Sequence, residues 1–179
     1  MENKNINSQN IITRESIFTA LMLLMEQKNF KEISITELTK KAGVSRMAFY
    51  RNYNQMEDVI TSYLNKLFDE YSKQILGWEK IDNYESLLLY FSNFRKHEKL
   101  ISNLINSNLE NLILERGVEY FHWLSHESIS KKSYSPKKER YTIEFIAGGL
   151  FKVLLEWAKS GMKESNEDIA KLVSDIINT

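Results

Sequence analysis

The sequence predicts an all-α protein of about nine helices, three of them forming an N-terminal head and the rest a helical body. Three observations carry that prediction. The 179 residues include only six Gly and one Pro, about a third of what average usage gives, so tight turns are too few for a sandwich or barrel. Apolar residues recur at spacings of three and four almost from end to end, the period of one helix face. Ser and Asn residues of the kind that cap helices stand ahead of several of these segments. No strand pattern and no internal repeat interrupts them.

The first helix covers residues 11–28. Ile17, Leu21 and Leu24 form one row and Phe18, Met22 and Met25 the next, a face broad enough to need several helices over it. Ser34-Ile35-Thr36-Glu37 reads as a capping box, with Ile33 placed to staple onto Leu38. The helix it opens stops at Gly43, because a residue without Cβ enters the left-handed conformation at least cost. Ser45 then caps a new helix, and Val44 is placed to staple onto Phe49. Two short helices with a Gly in the turn between them have helix-turn-helix grammar. Asn54-Gln55-Met56-Glu57 reads as a further capping box, opening a long helix to about Gly77.

Beyond Trp78 the pattern stays helical. Tyr84, Leu87, Leu88, Phe91 and Phe94 belong to one amphipathic segment, Leu100, Leu104 and Ile105 to a short one, and residues 109–124 to a longer one. Ser135-Pro136 suits a helix start, since Pro is favoured at the first position. The helix that follows, 139–160, is apolar almost all round in its middle. Ser165-Asn166-Glu167-Asp168 caps a last helix whose Ile169, Leu172, Val173, Ile176 and Ile177 repeat at helical spacing. The head is assigned to residues 1–55 and the body to residues 56–179.

Charge narrows the function. There are 24 Lys+Arg against 24 Asp+Glu, which argues against a protein that coats nucleic acid along its whole surface. Residues 1–53 hold eight basic and five acidic side chains, net +3, and the remainder is net −3, so only the head leans toward an anionic partner. The absence of Cys excludes a disulfide scaffold, a thiolate metal site and a Cys nucleophile, and fits a reducing cytoplasm. The most apolar stretch, 145–158, is broken by Lys152 and Glu156 and is too short to span a membrane. The polar start has no secretory signal pattern. A cytoplasmic location is therefore expected. His122 and His126 share a spacing of four, with Glu119 one turn before His122, but no third ligand is assured. Neither a metal site, a cofactor nor a catalytic group is expected. The basic run of Lys131, Lys132, Lys137 and Lys138 reads as a solvated loop.

Residues 33–59, ISITELTKKAGVSRMAFYRNYNQMEDV, carry a recognisable pattern. Ala42-Gly43-Val44-Ser45-Arg46, followed by Phe49-Tyr50 and an aromatic at Tyr53, resembles the DNA-binding head of TetR-family transcriptional regulators in content, spacing and distance from the N-terminus. The segment FIAGGLFKVLLEWAKSGMKESNEDIA is similar, less specifically, to a C-terminal region common among bacterial members. If Phe49 points into the head, 100° per residue puts Met47 and Arg51 near the opposite side. Ala48 and Tyr50 flank them, and Arg46 sits at the open end. That surface suits the major groove, where Arg reads guanine and Ala or Met lies against a thymine methyl. The resemblance places Tyr50 and Asn52 at positions that usually contact phosphate. The amides behind Ser45, and those behind Ser34 with Thr36, are placed for phosphate too. Two departures stand out: Met47-Ala48 replaces a common Gly-Thr, and Met56 replaces a Lys. The plain alternative, that Phe49, Tyr50 and Tyr53 are only core aromatics, is preferred for Phe49 and Tyr53 but not for Tyr50.

In the body the resemblance implies a cavity for a small effector, with Tyr90, Phe94, Phe121 and Phe145 as candidate lining, although most such aromatics are ordinary core. Gly148 and Gly149 lie inside a helix, where each costs roughly 1 kcal/mol relative to Ala. Close approach of another helix would offset that cost. Ile146, Gly149, Leu150, Val153 and Trp157, with Ile169, Leu172, Val173 and Ile176 of the last helix, are therefore expected at a twofold dimer interface. The alternative is that the glycines make room for ligand. The expected function is a homodimeric, ligand-responsive regulator binding double-stranded DNA at a palindromic operator, most often a repressor in such proteins. An interaction protein or coactivator, with weak or no DNA binding, is the alternative from another class.

Overall fold

The computed structural model describes residues 2–76, 83–128 and 135–178. They form α1 (Glu2–Met25), α2 (Ile35–Ala42), α3 (Arg46–Asn52), α4 (Glu57–Leu76), α5 (Asn83–Arg95), α6 (Glu98–Asn106), α7 (Asn111–Ser128), α8 (Pro136–Lys159) and α9 (Asn166–Ile177), with a 3-10 turn at Phe30–Glu32. No strand occurs among the described residues, as the scarcity of turn formers predicted. Gly77, Trp78, Lys131 and Lys132 fall outside the described residues, and so does the His126 side chain.

The helix-turn-helix is built by the caps written in its sequence. Ser34 Oγ accepts from the Glu37 amide at 3.1 Å, and the Glu37 carboxylate bonds Lys28 at 2.6 Å and the Ser34 backbone. The reciprocal half of the box is thus shared with the end of α1. The Lys28 hydrogen bond is also the main reason the Glu37 carboxyl is held below the usual carboxylate range. Gly43 takes φ 68°, and the Val44 amide closes back onto the Thr39 carbonyl at 3.0 Å, ending α2 in a left-handed cap. Ser45 Oγ accepts from the Ala48 amide at 3.0 Å and starts α3.

Two boundaries differ from the sequence reading. α1 extends back to Glu2, because no Gly or Pro separates the polar start from the apolar run. α4 opens at Glu57 rather than under an Asn54 cap. Asp58 Oδ2 reaches back instead and accepts from the Asn54 and Gln55 amides at 2.8 and 3.1 Å, a carboxylate favoured at a helix N-terminus. The last two helices begin as read, with Ser135 Oγ accepting from the Lys138 amide and Ser165 Oγ from the Asp168 amide.

The head core is Ile17, Leu21 and Leu24 of α1, Leu38 of α2 and Phe49 of α3, closed by Val59 and Ile60 of α4. α4 then runs on into the body. Its buried residues Ile60, Leu64, Phe68, Tyr71 and Ile75 repeat at helical spacing, so one continuous stripe serves both cores. In the body α7 packs on α4 and α8, and α9 lies along α5. Arg95 of α5 ties down the turn after α8. It bonds Asn166 Oδ1 at 2.6 Å and the Met162 carbonyl at 3.0 Å, and its guanidinium lies 4.6 Å from the Trp157 ring centroid.

Candidate nucleic-acid interface and the cavity behind it

α3 is oriented by its one core residue. Phe49 is fully buried, while Met47 is 76% and Tyr50 50% exposed. Arg46 and Arg51 are exposed and Ala48 and Asn52 half-buried, so the outward face is the one expected from the helical period. The Tyr50 ring meets the edge of Phe49 at 5.3 Å between centroids, which steadies the ring without covering it. Asn52 spends one amide proton on the Ala48 carbonyl of its own helix at 2.8 Å. The other remains for an outside partner. Ser34 and Thr36 are exposed at the start of α2, and Ser45 is exposed at the start of α3.

Tyr53 belongs to the core. It is 6% exposed, and its hydroxyl accepts from Arg14 Nε at 3.4 Å. The same Arg14 guanidinium sits 5.7 Å from the Tyr53 ring centroid and bonds Ser62 of α4. One arginine thus joins the end of α3 to α1 and α4. Met56 is half-buried against the core, so the residue standing in for the family's usual lysine has become a packing group.

The body holds a cavity lined by Leu67, Phe68 and Tyr71 of α4, Tyr90, Asn93 and Phe94 of α5, and His97. Its rings close on one another: Tyr90 and Phe94 lie 4.8 Å apart, Phe68 and Phe94 6.0 Å, and Tyr71 and Tyr90 6.2 Å. About 10 Å³ remains open, the space of roughly one water. Tyr71 donates its hydroxyl to the Ser86 carbonyl at 3.1 Å. Burial pushes the Tyr71 and Tyr90 phenols well above their ordinary range. His97 Nδ1 meets the Tyr63 hydroxyl at 3.3 Å. Burial is the main reason that ring's pKa lies below its ordinary value, so it is neutral near pH 7.

Two of the four expected lining residues, Tyr90 and Phe94, are at this cavity. Phe121 is half-buried behind it and touches the Tyr120 ring. Phe145 is not part of it, for it is 82% exposed on α8. The sequence missed Leu67, Phe68, Tyr71, Asn93 and His97. The sequence reading gave α4 only as a long helix, and which of its sides faces a gap is set by how neighbouring helices pack.

The expected dimer residues divide in the same way. Leu172 and Ile176 are 51% and 64% exposed. Ile146 and Gly149 are exposed too, and Val153 is half-buried. Leu150, Trp157, Ile169 and Val173 are instead buried inside the protomer. The correction has a simple geometric cause. The buried line on α8 runs through Ile143, Ala147, Leu150, Leu154 and Trp157, which straddles the two rows read from the sequence. On α9 it runs through Ile169, Ala170 and Val173, facing α5. A Cβ added at Gly148 or Gly149 would meet nothing within 4 Å, so no group among the described residues explains either glycine.

Among the described residues no cluster of metal-ligating side chains occurs, and no helix is long and apolar enough to cross a membrane. No curated protein matches the chain in sequence. Solved structures match it in fold. Lin0861 from Listeria innocua is 20% identical, covers 97% of this chain and 92% of its own length, and superposes with a TM-score of 0.80. FadR from Bacillus halodurans, described as a fatty acid degradation regulator, is 20% identical over 92% and 93% of the two chains, with a TM-score of 0.66. AlkX from Dietzia sp. strain DQ12-45-1b, described as a TetR family repressor, is 18% identical over 92% of each, with a TM-score of 0.56. Residues 82–179 match the TetR family model described as a transcriptional regulator C-terminal region. That match spans more than half the chain, which therefore belongs to the TetR family of transcriptional regulators.

Proposed function

We propose that the chain is a ligand-responsive repressor that binds a palindromic operator as a homodimer through α3. The observation that carries the reading is the outward face of that helix, where Arg46, Met47, Tyr50 and Arg51 stand exposed around a buried Phe49. Two arginines with an apolar residue between them suit base edges, while Tyr50, Asn52 and the capped amides behind Ser34 and Ser45 suit phosphates. The similarity to AlkX, a TetR family repressor, supports the direction of regulation.

The homodimer reading is supported by the exposed apolar side chains Phe145 and Ile146 of α8 and Leu172 and Ile176 of α9, and by glycines that no described residue approaches. A second copy laying its own α8 and α9 there covers these side chains and uses the glycines for close approach. The effector site is the small cavity between α4 and α5. Its occupation would pull His97 from Tyr63 and shift α4, altering the spacing of two heads that must meet two half-sites.

Footprinting on DNA upstream of the coding region tests this. The expected result is a protected inverted repeat whose occupancy falls steeply with salt. A folded dimer that protects no DNA at low salt, and co-purifies with a stoichiometric partner protein, contradicts it. That outcome is the interaction-protein reading, which Met56 favours by packing on the core where a charge would otherwise meet phosphate.

A further inference from the structure

Among the described residues three buried side-chain atoms lack a hydrogen-bond partner: Glu110 Oε2, Arg116 Nε and the Tyr120 hydroxyl. All three lie on α7 or on the residue just before it. Orphaned buried polar atoms are rare in folded proteins and call for a reason. Here they collect along one wall of the body. Arg116 is already engaged through its outer nitrogen, which holds Glu119 at 2.7 Å. Tyr120 has no such partner. It is 7% exposed, and burial alone pushes its phenol far above the ordinary range, keeping it a neutral donor.

The ring that carries that hydroxyl packs among aromatics. The Tyr120 ring stacks on Phe68 at 5.4 Å and 24° and leans on Tyr71 at 5.5 Å. Both rings also line the 10 Å³ cavity. Phe68 thus touches the Tyr120 ring and the cavity at once. α7 meets it at Gly117, where an added Cβ would stand in ordinary contact, 3.7 Å from the Phe68 ring.

We propose that the cavity and the Tyr120 hydroxyl are two halves of one ligand site, and that its ligand is an apolar molecule bearing a hydrogen-bond acceptor. Rotation of Phe68 joins the halves. The apolar body then lies among Phe68, Tyr90 and Phe94, and the acceptor takes the Tyr120 O–H. The inference rests on the effector reading of the body but names the ligand's chemistry by itself. It also explains why a hydroxyl is retained where a phenylalanine would pack without an unmet donor: the free protein forgoes stability for recognition.

The test compares acetophenone and benzoate, which carry acceptors, with toluene, which does not, on the full-length protein. Binding is read by protein NMR, and the melting temperature is measured with and without each probe. Wild type should bind acetophenone or benzoate at least tenfold more tightly than toluene. Tyr120→Phe should melt at the same or a higher temperature without ligand and bind all three probes alike. Phe68→Ala should bind toluene more tightly than wild type. A Tyr120→Phe variant that melts several degrees lower shows a structural hydroxyl and overturns the proposal. So does acceptor preference that survives in that variant. Operator release is scored separately. Hydroxyl-dependent binding that leaves DNA affinity unchanged upholds the ligand class and contradicts only the effector reading.

Discussion

The ring of Phe18, in α1 of the head, lies parallel to the ring of Tyr63 in α4, with 3.6 Å between centroids and 5° between planes. The Tyr63 hydroxyl continues to His97 at 3.3 Å, which lines the cavity. One turn before Phe18, Arg14 bonds Tyr53 at the end of α3 and Ser62 beside Tyr63. A line of direct contacts therefore runs from the cavity to the end of α3. Packed rings and a shared arginine move together or not at all, which suits a two-position element better than a graded one.

Tyr63→Phe keeps the stack and deletes the bond to His97. Losing one partly buried hydrogen bond should cost about 0.5–1.5 kcal/mol, a fall of a few degrees in melting temperature for a chain of this size. Ligand-free DNA affinity should hold, while the ligand response weakens. Thermal unfolding and operator titration with and without effector check both. Loss of DNA affinity without any change in response would mean that the pair is structural only.

His97 gives stability a pH dependence. Burial holds its folded pKa low, Lys96 and Lys66 push it the same way, and Glu70 opposes them. The unfolded chain therefore binds the proton first, below about pH 6.5. Stability should be unaffected by this group above that pH. It should fall on acidification until the folded pKa is passed, and then level off. Chemical denaturation between pH 8 and pH 5 should show this slope in wild type and a smaller one in His97→Gln. Equal slopes would remove His97 from the account.

Ser45→Ala removes the cap of α3, which accepts from the Ala48 amide. The expected loss is about 1 kcal/mol of stability. DNA affinity should fall further than for a stability-matched core variant, because the short helix frays at the end that meets the groove. Hydrogen exchange at residues 46–50 reports the fraying directly.

Sequence and structure agree where the signal is local. Ser34, Gly43, Ser45, Ser135 and Ser165 each cap or end the helix assigned to them, because a cap is decided within about four residues. The outward face of α3 was legible for the same reason: one buried Phe49 and the helical period fix the rest. The cavity and the exposed residues of α8 were half legible. Leu150 and Trp157 were grouped with Ile146 because the middle of α8 is apolar on more than one side, and only the positions of α6 and α7 decide which side is covered. Tyr120 carried no signal at all, since an unpaired hydroxyl is a fact of three-dimensional packing.

The exposed apolar residues of α8 and α9 suggest a contrasting pair of variants. Phe145→Glu combined with Ile176→Glu changes two exposed side chains and should leave a folded, helical protein that sediments as a monomer. Leu150→Glu buries a charge in the protomer and should unfold the body instead. Circular dichroism and sedimentation together separate the two. A folded dimer surviving the double substitution would place the interface elsewhere.

The most direct test of α3 as the recognition helix is an operator titration, on the footprinted site, with Arg46→Ala, Arg51→Ala and their combination. Both side chains are exposed, so folding and melting temperature should not change. A lost base contact should cost about 1–3 kcal/mol and relax specificity at one position. A lost phosphate contact should lower the slope of log affinity against log salt by about one unit. The account expects each single variant to weaken binding and the pair to weaken it more. Operator affinity and salt slope unchanged in the double variant would contradict it.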